Sequence, residues 1–166
     1  MGIEEVKRIK EVFSKLKLNT TYLEHEPVIT SEDAAKTRGF ELKQGIKAIV
    51  LTDESNFAIA DISAHQKVDQ KKVASQMGWS KGKIRMANEQ EVMEKTGCEL
   101  GAVPPFGHKT KLQILVDKGV FDNEISAFNI GLRTHSVKIP TEEMRIVFEH
   151  EKVIEGDFAK FRTLNL

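Results

Sequence analysis

A single cysteine, Cys98, stands in the 166 residues, which excludes an intramolecular disulfide and any Cys-x-x-Cys metal or redox motif. Charge of neither sign prevails: 25 lysines and arginines offset 25 aspartates and glutamates. That balance argues against broad, sequence-independent adhesion to nucleic acid, which requires strong net basicity, and leaves room only for a local basic patch. Lys71-Lys72, Lys81-Gly82-Lys83-Ile84-Arg85 and Lys109-x-Lys111 are the candidates, and each also reads as a solvated face. No apolar run approaches the ~20 residues that span a bilayer. The start, Met1 to Val6, has neither a basic segment nor an apolar signal core, and Val6 lacks the hydroxyl of a myristoylation motif, so a cytoplasmic chain without a membrane partner is expected. His25, His65, His108, His135 and His150 are scattered without His-x-x-x-His or His-Glu-x-x-His spacing, and no metal is expected. A Gly-x-Ser-x-Gly elbow is missing too, so an activated serine has no support. Cys98 follows Gly97 at a helix end, where the carbonyl dipole raises a thiol's pKa; a structural role suits it.

Against these absences two local features stand out. The first is Gly101-Ala102-Val103-Pro104-Pro105-Phe106-Gly107. Two adjacent prolines remove two N–H donors and fix φ, while the flanking glycines allow close approach by another group. Such a stiff loop is either a tight connection or a platform for binding and catalysis. The second is Lys47, within Ile46-Lys47-Ala48-Ile49-Val50-Leu51. That β-branched, aliphatic run reads as a strand with Ile46, Ala48 and Val50 on one face and Lys47, Ile49 and Leu51 on the other. An ammonium on a dry face costs several kcal/mol unless it meets an anion or a wet cleft. The alternative is a strand-end lysine whose ammonium reaches solvent.

The hydrophobic share of 40% and charged share of 30% suit an ordinary globular protein, and the length suits one domain over 1–166. A helical stripe runs over 3–16 and a short strand over 18–23, broken by His25-Glu26-Pro27. Thr30 and Asp33 form a capping box for a helix to about 37. The Lys47 strand pairs through a turn at 53–56 with a strand over 57–62. Asp69 caps a helix to Met77, ended near Gly78; Asn88 with Glu91 caps another, closed by Gly97. Strands follow at 83–86, 112–116, 126–130 and 134–139, then a helix with Thr141 as a plausible cap, and residues from about 152 add a short strand or dock. No repeat, low-complexity segment or linker interrupts them. The order predicts a single mixed α+β domain.

The strand-borne Lys47 followed by Gly101-x-x-x-Pro105 resembles the YbaK/prolyl-tRNA editing family of aminoacyl-tRNA deacylases. The likeness extends to His25-Glu26-Pro27 with Thr30 and Ala34-Ala35, to Val68-Asp69-Gln70-Lys71-Lys72-Val73-Ala74, and to Phe128-Asn129-Ile130-Gly131. The resemblance implies an α+β fold with a mixed, mostly antiparallel central sheet flanked by helices. It also implies substrate-assisted hydrolysis of the ester in mischarged aminoacyl-tRNA, with no cofactor and with Lys47 and the Gly101 loop at the centre. Lys47 is expected to engage the terminal adenosine phosphate or the ester carbonyl, and Gly101 to Pro105 to hold the aminoacyl group and the water. Ala102, Val103, Pro104, Pro105, Phe106 and Gly107, with His25, Thr30, Asn129 and Gly131, are expected at the substrate. His135, on the strand face shared with Val137, is either a general base or a half-buried structural histidine. The expected partners are a tRNA acceptor end, that of tRNA(Pro) or a relative, carrying Ala, Ser or Cys, with Ala or Ser preferred, and an escorting synthetase. The competing readings are a non-catalytic module that binds a tRNA end or nucleotide, and a general esterase.

Overall fold

The computed structural model describes residues 2–27 and 41–160; Thr30 and the helix expected to follow it lie outside the described residues. Helix α1 (Ile3–Lys15) turns Val6, Ile9 and Phe13 inward. Strand β1 (Thr21–Glu24) pairs antiparallel with β7 (His135–Pro140), and β7 pairs antiparallel with β6 (Ile125–Asn129). A five-stranded sheet runs in the order β4-β2-β3-β5-β8, with β2 at Ile46–Thr52, β3 at Phe57–Ser63, β4 at Arg85–Met86, β5 at Gln113–Asp117 and β8 at Ile154–Gly156. Within it, β3–β5 and β5–β8 are parallel and β2–β3 and β2–β4 antiparallel. A parallel bridge between Gly45 and Ala127 joins the two sheets. The result is a mixed, mostly antiparallel α+β fold.

Local chemistry sets most boundaries. Helix α2 (Gln70–Met77) starts where the Asp69 carboxylate accepts from the Lys71 and Lys72 N–H groups, and stops at Gly78, φ 72°. Helix α3 (Glu89–Thr96) opens on a reciprocal box: Glu91 N–H donates to Asn88 Oδ1 at 2.8 Å and Asn88 N–H to Glu91 Oε1 at 2.9 Å. The β2–β3 turn is held by Asp53 Oδ1, which accepts from Asn56 N–H at 2.7 Å and Ser55 N–H at 3.1 Å. Two expectations need correction. The strand expected at 83–86 is confined to Arg85–Met86. Thr141 is the first residue of helix α4 (Thr141–His150), not its cap; its hydroxyl is bonded instead to Ser126 Oγ at 2.7 Å.

The joined sheets divide the molecule. One side carries Ile46, Val50, Ile59, Ile114, Val116, Phe128, Val137 and Ile139, covered by Val6, Ile9, Phe13, Val92, Met144, Val147 and Phe148 from α1, α3 and α4. The other side carries Leu51, Ala60 and Leu115, covered by Val73 of α2 and by Phe158.

Candidate functional site

Lys47 belongs to that second side. Its neighbours by alternation, Ile49 and Leu51, pack there with α2, so the face assignment made from the sequence holds. The parallel bridge puts Gly45 beside Ala127. Two residues further along each strand, Lys47 and Asn129 point to the same side. Asn129 pairs with Ser136 and Ala127 with Lys138 across β6–β7, so this side of the small sheet carries Asn129, Ser136 and Lys138. Lys47 is half-buried, and its ammonium makes no ion pair among the described residues. Burial, and secondarily the charge of Lys67, hold its pKa below the ordinary ammonium value.

His25 stands at the end of β1 beside the same face. Its Nδ1 lies 2.8 Å from the Glu26 carbonyl oxygen, which can only accept, so Nδ1 carries the proton. In the neutral ring Nε2 then accepts the Ser136 hydroxyl at 2.7 Å. Ser136, buried to 0% exposure, was not among the expected site residues. The alternation that set His135 with Val137 already put Ser136 on the opposite face.

The Gly101 loop is tied to the end of β6. Gly131 N–H donates to the Ala102 carbonyl at 2.9 Å, and the Gly131 carbonyl accepts from Glu99 N–H at 3.2 Å. Arg133 adds two bonds from Nε and Nη2 to the Leu100 carbonyl, at 3.0 and 2.8 Å. Asn129 Nδ2 braces the turn by donating to the Leu132 carbonyl at 3.1 Å. From the other end, His108 Nε2–H donates to the Pro104 carbonyl at 2.6 Å. Burial first, and Arg8 further, push the His108 pKa down to about 4, although the bond to Pro104 opposes the change. His108 is therefore neutral near pH 7 and acts as a strut for the loop. The scattered histidine spacing gave no signal of that role.

Within the loop the side chains and the backbone face different surroundings. Gly101 is exposed, and a Cβ there would meet nothing within 4 Å. Ala102, Val103, Pro104 and Pro105 are buried, and Val103 lies in the main core. Three of the expected site residues have surroundings of their own. Phe106 is a hub of the core, edge-on to Phe13, Phe128 and Phe148 at centroid distances of 5.5, 5.8 and 6.1 Å, so its ring is unavailable to a substrate. Gly107 is small because α1 crosses it: a Cβ would come within 2.5 Å of Ile9 Cδ1. His135 shares its face with Val137, on the side of the sheet away from Lys47. It lies 3.3 Å from Glu24 Oε1 and 2.8 Å from Thr134 Oγ1.

Two of the basic candidates are also committed elsewhere. Arg85 is clamped by Glu54 at 2.6 Å and Glu91 at 2.8 Å, and Lys72 pairs with Asp157 at 3.1 Å. Burial pushes the Cys98 thiol up to about 12; the direction is the one expected, but desolvation and not the helix end is its main cause. Among the described residues no three His, Cys, Asp or Glu side chains are grouped to hold a metal ion, and no helix is long and apolar enough to cross a membrane.

Comparison with known proteins gives this geometry a context. The chain is 35% identical over 135 residues to the multifunctional Ser/Thr-tRNA deacylase ProXp-y of Escherichia coli (strain K12), covering 78% of this chain and 79% of that protein. It is 31% identical over 138 residues to the proline–tRNA ligase of Methylobacillus flagellatus, covering 77% of this chain but 24% of the ligase. In fold it matches a solved candidate trans-editing enzyme for prolyl-tRNA synthetase, with a TM-score of 0.79 and 21% identity, covering 95% of this chain and 98% of that one. Residues 25–146 match the aminoacyl-tRNA editing domain, and the chain belongs to that family.

Proposed function

We propose that this protein is a trans-editing deacylase that hydrolyses the ester of mischarged aminoacyl-tRNA. The observation that supports the reading is a half-buried Lys47 ammonium, without an ion pair among the described residues, on the sheet face that also holds Asn129 and the Ser136–His25 pair. A cation on that dry face has an energetic need for an anion, which a terminal phosphate or a developing oxyanion supplies. The exposed Gly101, anchored through Ala102 to Gly131, sets a close-approach backbone at the end of β6. Water adds to the ester carbonyl, the bond to the ribose oxygen breaks, and that oxygen takes a proton to leave amino acid and tRNA. A vicinal ribose hydroxyl shares the proton traffic, so no protein nucleophile is needed.

The amino acid removed is serine or threonine. In the neutral ring His25 Nε2 accepts from the buried Ser136 hydroxyl, which fixes the imidazole at the end of β1. The choice of serine or threonine follows the E. coli relative, a Ser/Thr-tRNA deacylase. The tRNA is that of proline, in keeping with the shared domain of the proline–tRNA ligase, and a synthetase is a natural escort. Incubation with Ser-, Thr-, Ala- and Cys-charged tRNA(Pro) tests the reading through release of free amino acid. Lys47→Ala is expected to lower turnover about 100-fold or more while remaining folded. Near wild-type turnover of this variant removes Lys47 from the chemistry. Saturable tRNA binding without release would instead establish a binding module.

A further inference from the structure

A cavity of about 400 Å³ opens on the Lys47 face at the opposite end of the small sheet from Gly131. Its volume falls in the ~300–1,000 Å³ range of small-molecule sites. It is lined by Asn19, Thr21, Gln44, Ile125, Lys138, Ile139 and Pro140. Register explains why these residues converge. Thr21 pairs with Lys138 and Ile125 with Pro140, and all four alternate onto the same side as Ser136. Gln44 arrives from the residue before the bridging Gly45. Along β7, Lys138 is one two-residue step from Ser136, about 7 Å at the rise of an extended strand. The cavity therefore opens on the face of β7 that also carries Ser136.

Its lining has one kind of complement. Ile125 and Pro140 give an apolar platform. Asn19 and Gln44 bring carboxamides, whose paired donors and acceptors match the edges of nucleobases. Gln44 Oε1 is taken by the Glu41 N–H at 2.9 Å, and its amide N–H groups donate no hydrogen bond among the described residues. Lys138 supplies a cation, and Thr21 a hydroxyl, for a sugar-phosphate backbone. We infer that this cavity is a nucleotide subsite, which takes the base and phosphate of the residue preceding the terminal adenosine of the tRNA. The inference rests on the deacylase reading for the direction of the strand. It adds that the protein grips the single-stranded end beyond its terminal nucleoside.

The test uses unacylated probes, a 5′-labelled CCA trinucleotide and AMP, so that it does not depend on hydrolysis. The wild-type protein is expected to bind CCA more tightly than AMP. Lys138→Ala and Gln44→Ala are each expected to weaken CCA about 5–10-fold, with AMP changed less than about twofold. Lys138→Ala should also reduce the slope of log affinity against log salt by about 0.7, the value for one phosphate contact on a single strand. Gln44 lies outside the strands and tests the cavity on its own should Lys138→Ala fail to fold. Equal affinity of the wild type for CCA and AMP, or unchanged CCA binding in both variants, overturns the subsite. Deacylation with unchanged CCA binding sinks the subsite alone; loss of CCA binding in the variants of a protein that releases no amino acid sinks the deacylase reading alone.

Discussion

Acid should loosen the Gly101 loop through His108. In the unfolded chain this imidazole titrates near 6.5, whereas in the folded protein it is pushed down to about 4. The native state therefore binds fewer protons than the unfolded state between those values, and stability rises with pH across that window. A displacement from 6.5 to about 4, at about 1.4 kcal/mol per unit, makes about 3.5 kcal/mol. Partial exposure of the residue lowers this to about 2–3 kcal/mol. The contribution is complete above pH 6.5 and lost as pH falls to 4. Protonation need not break the Nε2–H bond to the Pro104 carbonyl, which favours the charged ring; the cost is desolvation, opposed only in part by that bond. The assay is urea unfolding of wild type and His108→Gln from pH 4 to 7.5. The variant keeps an N–H donor but does not titrate, so its stability relative to wild type should improve by about 2–3 kcal/mol on going from pH 7 to pH 4. Parallel curves for the two proteins would refute the reasoning. Amide exchange at Ala102, whose N–H donates to the Glu99 carbonyl, should quicken in acid in the wild type more than in the variant.

Three further outcomes follow from buried groups. Asp61, fully buried with neither carboxylate oxygen bonded among the described residues, has its pKa raised well above 3.8 by desolvation; wild-type stability should therefore fall relative to Asp61→Asn as pH rises above 3.8, by up to about 1.4 kcal/mol per unit, and a pH-independent difference in urea midpoints would contradict this. Gly107→Ala should cost about 1–3 kcal/mol, because the new Cβ meets a fully buried Ile9 at φ 76°, whereas Gly101→Ala should cost only about 1 kcal/mol for its positive φ. Equal melting temperatures for these two variants would show that crowding at α1 is unimportant. Cys98 should resist alkylation at pH 8 in the native protein and react freely in urea, since burial raises its thiol to about 12; rapid native labelling would disprove that.

Much of this arrangement was legible in the sequence wherever one short-range rule decided it. Capping residues gave α2 and α3, and alternation gave the face of Lys47. Contacts between distant segments were not legible. Nothing near Phe106 announces that it packs with Phe13, Phe128 and Phe148, and a glycine-flanked proline loop reads equally as a platform or as a plug. His135 shows the same limit. Its companion Val137 could be found by counting, but which face of β7 meets Lys47 depends on the bridge from Gly45 to Ala127, a pairing across some 80 residues. Thr141 looked like a cap because its local sequence is that of one; a tertiary partner, Ser126, claimed the hydroxyl.

The division of the sheet also explains how one short loop can be fastened into the core and still, in the proposed function, present backbone to a substrate. Val103 and Phe106 fasten it into the aromatic side of the molecule, where α1 and α4 exclude water. Bonds from Gly131, Arg133 and His108 take up the carbonyls of Ala102, Leu100 and Pro104. A loop fixed on both counts loses little conformational entropy when a ligand arrives, so more of the binding energy survives for orientation. Lys47 is the converse. It is held on a strand whose backbone is paired on both sides over part of its length, yet its head group makes no ion pair among the described residues. Rigidity in the frame and an unmet charge at its edge are the two conditions that electrostatic catalysis of ester hydrolysis requires.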